Sequence, residues 1–334
     1  MKAMLLDETA AIESSPLTLR DLPDPEPAAG EVRLRVDCCA ICRTDLHVIE
    51  GDLPRAKRPI VPGHQIVGRV DRLGEGCRRL RVGQRVGVAW LRWTCGSCKF
   101  CESGCENLCE TSRFTGYHAD GGFAELAVVP EDFSYELPEV FDDRAATPLL
   151  CAGIIGYRAL KRCELPAGGT LGIYGFCSSA HIVIQMALHR GSDVYVVTRG
   201  KQYRQLAREM GAKWAGESAA DLPIKVDRAI IFAPAGELVP SALAALEKGG
   251  TLASVGIHMS RIPPLDYEQT LFYERNVHSV TANTRTDGQK LLAEAAQVPI
   301  RPRITCYSLA EANRALQDLQ HDRINGTGIL LMHD

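Results

Sequence analysis

The rhythm of hydrophobic and polar positions changes near residue 150. Before that point the chain is rich in glycine and proline and runs in short alternations such as Glu31-Val32-Arg33-Leu34-Arg35-Val36. Alternation of period two predicts half-buried antiparallel strands joined by tight turns. Residues 59–64 read as a loop feeding a strand over 66–70, and a further strand is predicted over 85–90. No long amphipathic helix is expected before about Cys151. After it, apolar runs at 169–175, 193–198, 227–232 and 250–256 alternate with helical spacing at 178–190, 201–210 and 237–246. Strands separated by helices of about ten residues imply βαβ units and a parallel sheet. The tail from Arg285 carries two helical patterns and short strands, and its return to the first domain is expected.

The length of 334 residues suits about two domains, each able to bury a core. Apolar residues make up 46% and charged residues 24%, with a formal net charge of −3. There is no basic excess to neutralise a phosphate backbone, so nucleic acid is not an expected partner. No apolar stretch approaches the roughly 20 residues of a membrane span, and the N-terminus lacks a signal peptide's apolar run. The expectation is a cytoplasmic enzyme or binding protein.

Thirteen cysteines are many for such a chain, and an odd number cannot pair completely. In a reducing compartment, clustered cysteines read first as metal ligands or reactive thiols. Cys95, Cys98, Cys101 and Cys109 have the spacing that turns four thiolates toward one point, the closed tetrahedral shell of a structural zinc. Four unrelated free cysteines are the bland alternative. Cys105 lies inside the same loop as a competing ligand, although spacing favours the other four. Cys42, His64 and Cys151 are separately weak signals, far apart in sequence. A glycine-flanked histidine is commonly a satisfied loop residue, and a buried cysteine a small hydrophobe. Together they would make the three-ligand set of a catalytic zinc with a fourth position open.

Many motifs in order carry a resemblance: residues 42–47, Pro62-Gly63-His64, residues 82–87, Trp90-Leu91, the four-cysteine loop, Asn107 to Cys109, Gly116-Tyr117, residues 121–125 and residues 150–153. Along nearly its whole length the chain resembles the zinc-containing alcohol dehydrogenases of the medium-chain dehydrogenase/reductase family, most closely the microbial, yeast-like members. The resemblance implies an α/β fold, with a Rossmann-type doubly wound parallel sheet and a mainly antiparallel, GroES-like catalytic domain. The domains expected are 1–152, with a structural zinc loop at 95–109, then a dinucleotide-binding domain at 153–284, and a return at 285–334. It implies two zinc ions per chain, one on Cys42, His64 and Cys151 and one in the four-cysteine loop, together with NADP or NAD. It also implies a small alcohol or aldehyde substrate and a homodimer or homotetramer.

Within that resemblance Thr44 and His47 would relay the substrate proton, since a hydroxyl can pass a proton on and histidine titrates near physiological pH. Zinc with an open position would make an alcohol hydroxyl acidic near neutral pH. Asp45 resembles a carboxylate that would orient His64, with a solvated turn residue as the alternative. Arg43 matches a position that meets cofactor phosphate, or is a plain surface arginine. Trp90 matches a bulky wall of the substrate pocket, or is a core aromatic.

The cofactor turn departs from Gly-x-Gly-x-x-Gly/Ala: Gly175 and Ala180 fit, whereas Cys177 stands where the middle glycine lets the backbone approach the diphosphate. After the next strand, Thr198-Arg199 offers no carboxylate for the ribose hydroxyls. Arg199 and Lys201 could instead meet a 2′-phosphate, which tilts the expectation toward NADP(H), or be solvated basic residues. The segment Asn283, Arg285 and Asp287 resembles a neighbourhood beside the cofactor. Gln65 replaces the usual glutamate and Ala40 a common glycine, while Cys38 and Cys39 are either oxidation-prone or buried small residues. The expected function is hydride transfer between a primary or secondary alcohol, or its carbonyl partner, and NAD(P). A zinc-stabilised, dehydrogenase-like protein with weakened cofactor binding and a regulatory role is the alternative. A related reductase of sugar alcohols or activated alkenes is a third.

Overall fold

The computed structural model describes residues 1–54 and 56–333 and divides the chain into two compact units. The first comprises Met1–Cys151, Ala282–Ala296 and the chain from Pro302 onward; the second comprises Ala152–Thr281 and Gln297–Arg301. The tail therefore joins the first unit except for that short excursion.

The first unit is built on a seven-stranded sheet. In order across it lie Ile304–Ser308, Thr327–Leu331, Glu31–Ile41, Gln65–Leu73, Arg85–Val88 and Ser134–Glu136, and Leu126–Pro130 also pairs with Glu31–Ile41. All these pairings are antiparallel except that of the two C-terminal strands. The alternation seen in the sequence is realised in Glu31–Ile41: Val32, Leu34 and Val36 enter the core. On the opposite face Arg33 is also buried, because Asp71 accepts from its Nε at 2.6 Å. The expected strand over 85–90 stops at Val88, and Trp90 precedes a separate short strand, Leu91–Trp93.

Helices before residue 150 are short. Arg43–Glu50 is the longest of them among the described residues, with Leu46 and Ile49 in the core.

The second unit holds six parallel strands in the order Trp214–Gly216, Asp193–Val197, Thr170–Tyr174, Val226–Ile231, Leu246–Val255 and Asn276–Val280. The helices Ser178–His189, Lys201–Glu209 and Leu238–Ala244 connect successive strands. The central strands are buried on both faces, which is why they read as near-continuous apolar runs. The two edge strands were not legible. Trp214–Gly216 has three residues, and Asn276–Val280 is mostly exposed and polar. Among the described residues no helix is long and apolar enough to cross a membrane.

Candidate metal centres

Cys42 is the N-cap of the Arg43–Glu50 helix, so the first helical turn sets its neighbours. Asp45, three residues on, turns back and accepts the Cys42 amide on Oδ2 at 2.8 Å. Its Oδ1 faces His64 Nδ1 at 3.1 Å, with both side chains buried. A carboxylate on Nδ1 leaves Nε2 as the ligating nitrogen, and Nε2 lies 3.5 Å from Cys42 Sγ. Cys151 follows the Thr147–Leu150 turn and completes a group whose ligand atoms lie within 4.8 Å of one another. Zinc–sulfur bonds of about 2.3 Å and zinc–nitrogen bonds of about 2.0 Å at tetrahedral angles place S and N about 3.5 Å apart, so this set fits zinc.

Burial lowers the His64 pKa, but the Asp45 charge and Cys42 outweigh it and lift the value to about 10.

The four-cysteine loop meets the same test. Sulfur separations are 3.9 Å for Cys95–Cys101, 3.6 Å for Cys98–Cys101 and 3.6 Å for Cys95–Cys109. A tetrahedral zinc–thiolate shell requires about 3.8 Å. The backbone N–H groups of Ser97 and Cys98 hold the Cys95 pKa down at about 6, while desolvation pushes that of Cys101 up to about 11. Among the described residues the cluster comprises Cys95, Cys98, Cys101 and Cys109, without Cys105.

Thr44 and His47 are three residues apart on one helix and share a face. Trp90 meets the His64 ring edge-on at 5.1 Å, so it stands beside the three-ligand centre. In the second unit Gly175 closes the turn after Thr170–Tyr174 at φ 86°, and a Cβ there would lie 2.9 Å from the Ala233 amide nitrogen. Cys177 is the exposed N-cap of Ser178–His189, and Ala180 is fully buried in its first turn. The carbonyls of Thr198 and Arg199 accept Arg204 Nη1 at 2.9 and 2.5 Å, while the Arg199 side chain is exposed.

Comparison with known proteins points to one family. Residues 28–139 match the alcohol dehydrogenase GroES-like domain, and residues 180–297 match the zinc-binding dehydrogenase family. A probable alcohol dehydrogenase, AdhA, of Mycobacterium tuberculosis is 48% identical over 99% of this chain and 97% of its own. An alcohol dehydrogenase of Geobacillus stearothermophilus is 32% identical over the full length of both. The crystal structure of AibC superposes with a TM-score of 0.91 at 27% identity, covering 99% of this chain and 95% of that one. The chain belongs to the zinc-containing alcohol dehydrogenase family.

Several residues of this alcohol dehydrogenase chain are placed in ways the sequence left open. Asp45 is buried and bonded to His64, not a solvated turn residue. Cys38 and Cys39 are buried; desolvation pushes the Cys38 pKa up to about 12, and its Sγ lies 3.0 Å from Thr147 Oγ1. Both are packing residues. Gln65, next to His64 in sequence, is buried, and its amide is neutral where a glutamate would carry a charge.

The structure binds up Arg43 and Arg285 within the first unit. Arg43 pairs with Asp322 at 3.0 Å in an exposed contact. The Arg285 guanidinium is gripped by Glu106 of the four-cysteine loop, at 3.0 Å from Nε and 2.7 Å from Nη2, and lies over Phe133. Glu106 also accepts the Arg285 amide at 2.7 Å, at the start of the Arg285–Ala295 helix.

Two aromatic residues were missed as parts of the site. Phe114 stacks on Trp90 at 4.9 Å and 12°, and Tyr117 at 5.9 Å and 22°. Gly116-Tyr117 was visible as a motif, but its relation to Trp90 is a tertiary fact.

Proposed function

We propose that the chain is a zinc-dependent alcohol dehydrogenase or aldehyde reductase that moves a hydride between a primary or secondary alcohol and NAD(P). The observation that carries this reading is the convergence of Cys42, His64 and Cys151 on one point, with no fourth cysteine, histidine or carboxylate in the group among the described residues. When bound, zinc supplies a Lewis acid that makes an alcohol hydroxyl acidic, and the nicotinamide supplies the hydride acceptor.

The remaining work falls to side chains. Asp45 fixes the His64 ring and the start of the Arg43–Glu50 helix together. The Thr44 hydroxyl takes the substrate proton and passes it to His47, one turn along the same face, for release to water. Trp90, backed by Phe114 and Tyr117, walls the substrate pocket and favours small or slim alcohols.

For the cofactor, Gly175, Cys177 and Ala180 form the diphosphate turn, with the N-terminus of Ser178–His189 supplying backbone donors. Thr198 and Arg199 meet the adenosine ribose, and the basic pair Arg199 and Lys201, with no carboxylate within the segment 198–201 itself, favours NADP(H). Arg43 and Arg285 are the further basic residues of the cofactor set, and each would have to leave its carboxylate, Asp322 or Glu106, to reach a phosphate. The first unit, with most of the tail, is the catalytic domain and the second unit the dinucleotide domain, in a cytoplasmic homodimer or homotetramer.

The test is nicotinamide-dependent oxidation of short and aromatic alcohols by zinc-replete protein, with Cys42→Ser as the control. Activity lost in Cys42→Ser with the fold intact supports the reading. An inactive wild type across that panel, with two zinc ions bound, speaks for the regulatory alternative, which the exposed Cys177 at the helix N-terminus favours.

A further inference from the structure

His47 Nδ1 lies 2.7 Å from Asp52 Oδ2. A carboxylate at this distance can only accept, so Nδ1 carries the proton of that hydrogen bond. We propose that Asp52 is a positioning residue for the relay: it holds His47 in the Nδ1–H tautomer and steadies the imidazolium formed when Nε2 takes the substrate's proton. The proposal rests on the reading of His47 as the proton relay given above.

The local fold builds this pair from adjacent sequence. The Arg43–Glu50 helix ends at Gly51, whose φ of 85° is left-handed, and a Cβ there would crowd Thr9 at 3.2 Å. The chain then turns back so that the amides of Gly51 and Asp52 both donate to the His47 carbonyl, at 3.2 and 3.0 Å. The bond from Asp52 is the long closing bond of a glycine-terminated helix. Asp52 is thus tied twice to one residue, by its amide to the His47 carbonyl and by its carboxylate to the His47 ring.

Three consequences follow for the proton. With Nδ1–H bonded to Asp52, the lone pair sits on Nε2, and the ring accepts a proton there. The imidazolium so formed is stabilised by the adjacent carboxylate, as in a histidine–aspartate pair. The His47 side chain is 19% exposed and that of Asp52 49%, so water reaches the pair and can take the proton, returning the imidazole to neutral. A half-exposed pair of this kind contributes little to folding, so Asp52 can be replaced without unfolding the helix.

The test uses zinc-loaded, histidine-15N-labelled enzyme, with His47 assigned by its loss in His47→Gln, and compares wild type with Asp52→Ala by two-bond 1H–15N correlation. The expected result is the Nδ1–H tautomer in wild type and a mixed or Nε2–H ring in Asp52→Ala. The kcat of alcohol oxidation should fall about tenfold with the alcohol KM within about twofold. Asp52→Asn, which keeps an acceptor and loses the charge, should retain the tautomer and lose part of the rate. An unchanged tautomer in Asp52→Ala, or a changed one with undiminished kcat, overturns the proposal. An undiminished kcat in His47→Gln sinks the relay reading itself, and is told apart because Asp52 is intact in that variant.

Discussion

Asp45 and His64 are buried against each other, Oδ1 to Nδ1 at 3.1 Å, while the other Asp45 oxygen holds the Cys42 amide. One carboxylate therefore orients two of the three residues of the Cys42, His64 and Cys151 group. Asp45→Asn keeps the shape and a hydrogen-bond acceptor but removes the charge that raises ligand basicity. Losing an outer partner of this kind costs about 10- to 100-fold in metal affinity. Competition with a chromophoric chelator should show one of the two zinc ions weakened by that factor and the other unchanged. Equal affinity in wild type and variant would refute this role for Asp45.

Trp90 is edge-on to His64 and stacked against Phe114 and Tyr117, so its position is set from behind. Trp90→Ala should open the pocket, raising kcat/KM for branched or aromatic alcohols relative to ethanol by about tenfold, a little over 1 kcal/mol of differential binding. Tyr117→Leu, which removes a supporting ring without touching the pocket wall, should move the ratio in the same direction by less. A selectivity ratio that stays constant in Trp90→Ala would mean that substrate does not meet this ring.

How much of this was legible depends on whether the signal was local. The Cys95, Cys98, Cys101 and Cys109 set is written in spacing, because one short loop carries all four thiols. The parallel sheet was legible through runs such as Leu171 to Tyr174, since burial on both faces leaves no polar positions. Cys42, His64 and Cys151 were assembled only through family resemblance, because their convergence depends on the pairing of distant strands. Asp52 was invisible for a different reason: an aspartate after a helix-ending glycine is ordinary turn chemistry, and only the left-handed residue at Gly51 brings it back onto His47. The role of Arg285 was not legible because a basic residue near a cofactor motif looks the same in sequence whether its partner is a phosphate or Glu106.

Glu106 links the four-cysteine loop to the first turn of the Arg285–Ala295 helix through a half-buried, charged hydrogen-bond set. Hydrogen bonds to charged groups contribute about 1.5–3 kcal/mol each way they are measured, and less where one partner is partly exposed. Glu106→Gln should therefore lower the urea midpoint by the equivalent of about 1–2 kcal/mol while leaving two zinc ions per chain. Cys98→Ser should drop the zinc content to one and make the loop the first site of proteolysis. A Cys98→Ser protein that still holds two zinc ions would show that the loop is not a four-thiolate centre.

The cofactor turn gives the last prediction. Cys177 is exposed at the N-cap of Ser178–His189, where the diphosphate is expected, and a side chain in that place would hold the backbone back from the close approach that a glycine allows. Arg199 is exposed after the neighbouring strand with no carboxylate beside it in sequence. A guanidinium on a 2′-phosphate forms charge-assisted bonds that NADH cannot offer. Fluorescence titration should give NADPH a Kd about tenfold below that of NADH, a difference of about 1.4 kcal/mol. Arg199→Ala should erase the gap by weakening NADPH alone, and Cys177→Gly should tighten both cofactors together. Tighter NADH than NADPH in wild type would reverse the assignment at Arg199, and Cys177→Gly without effect on either would show that the turn already admits the diphosphate.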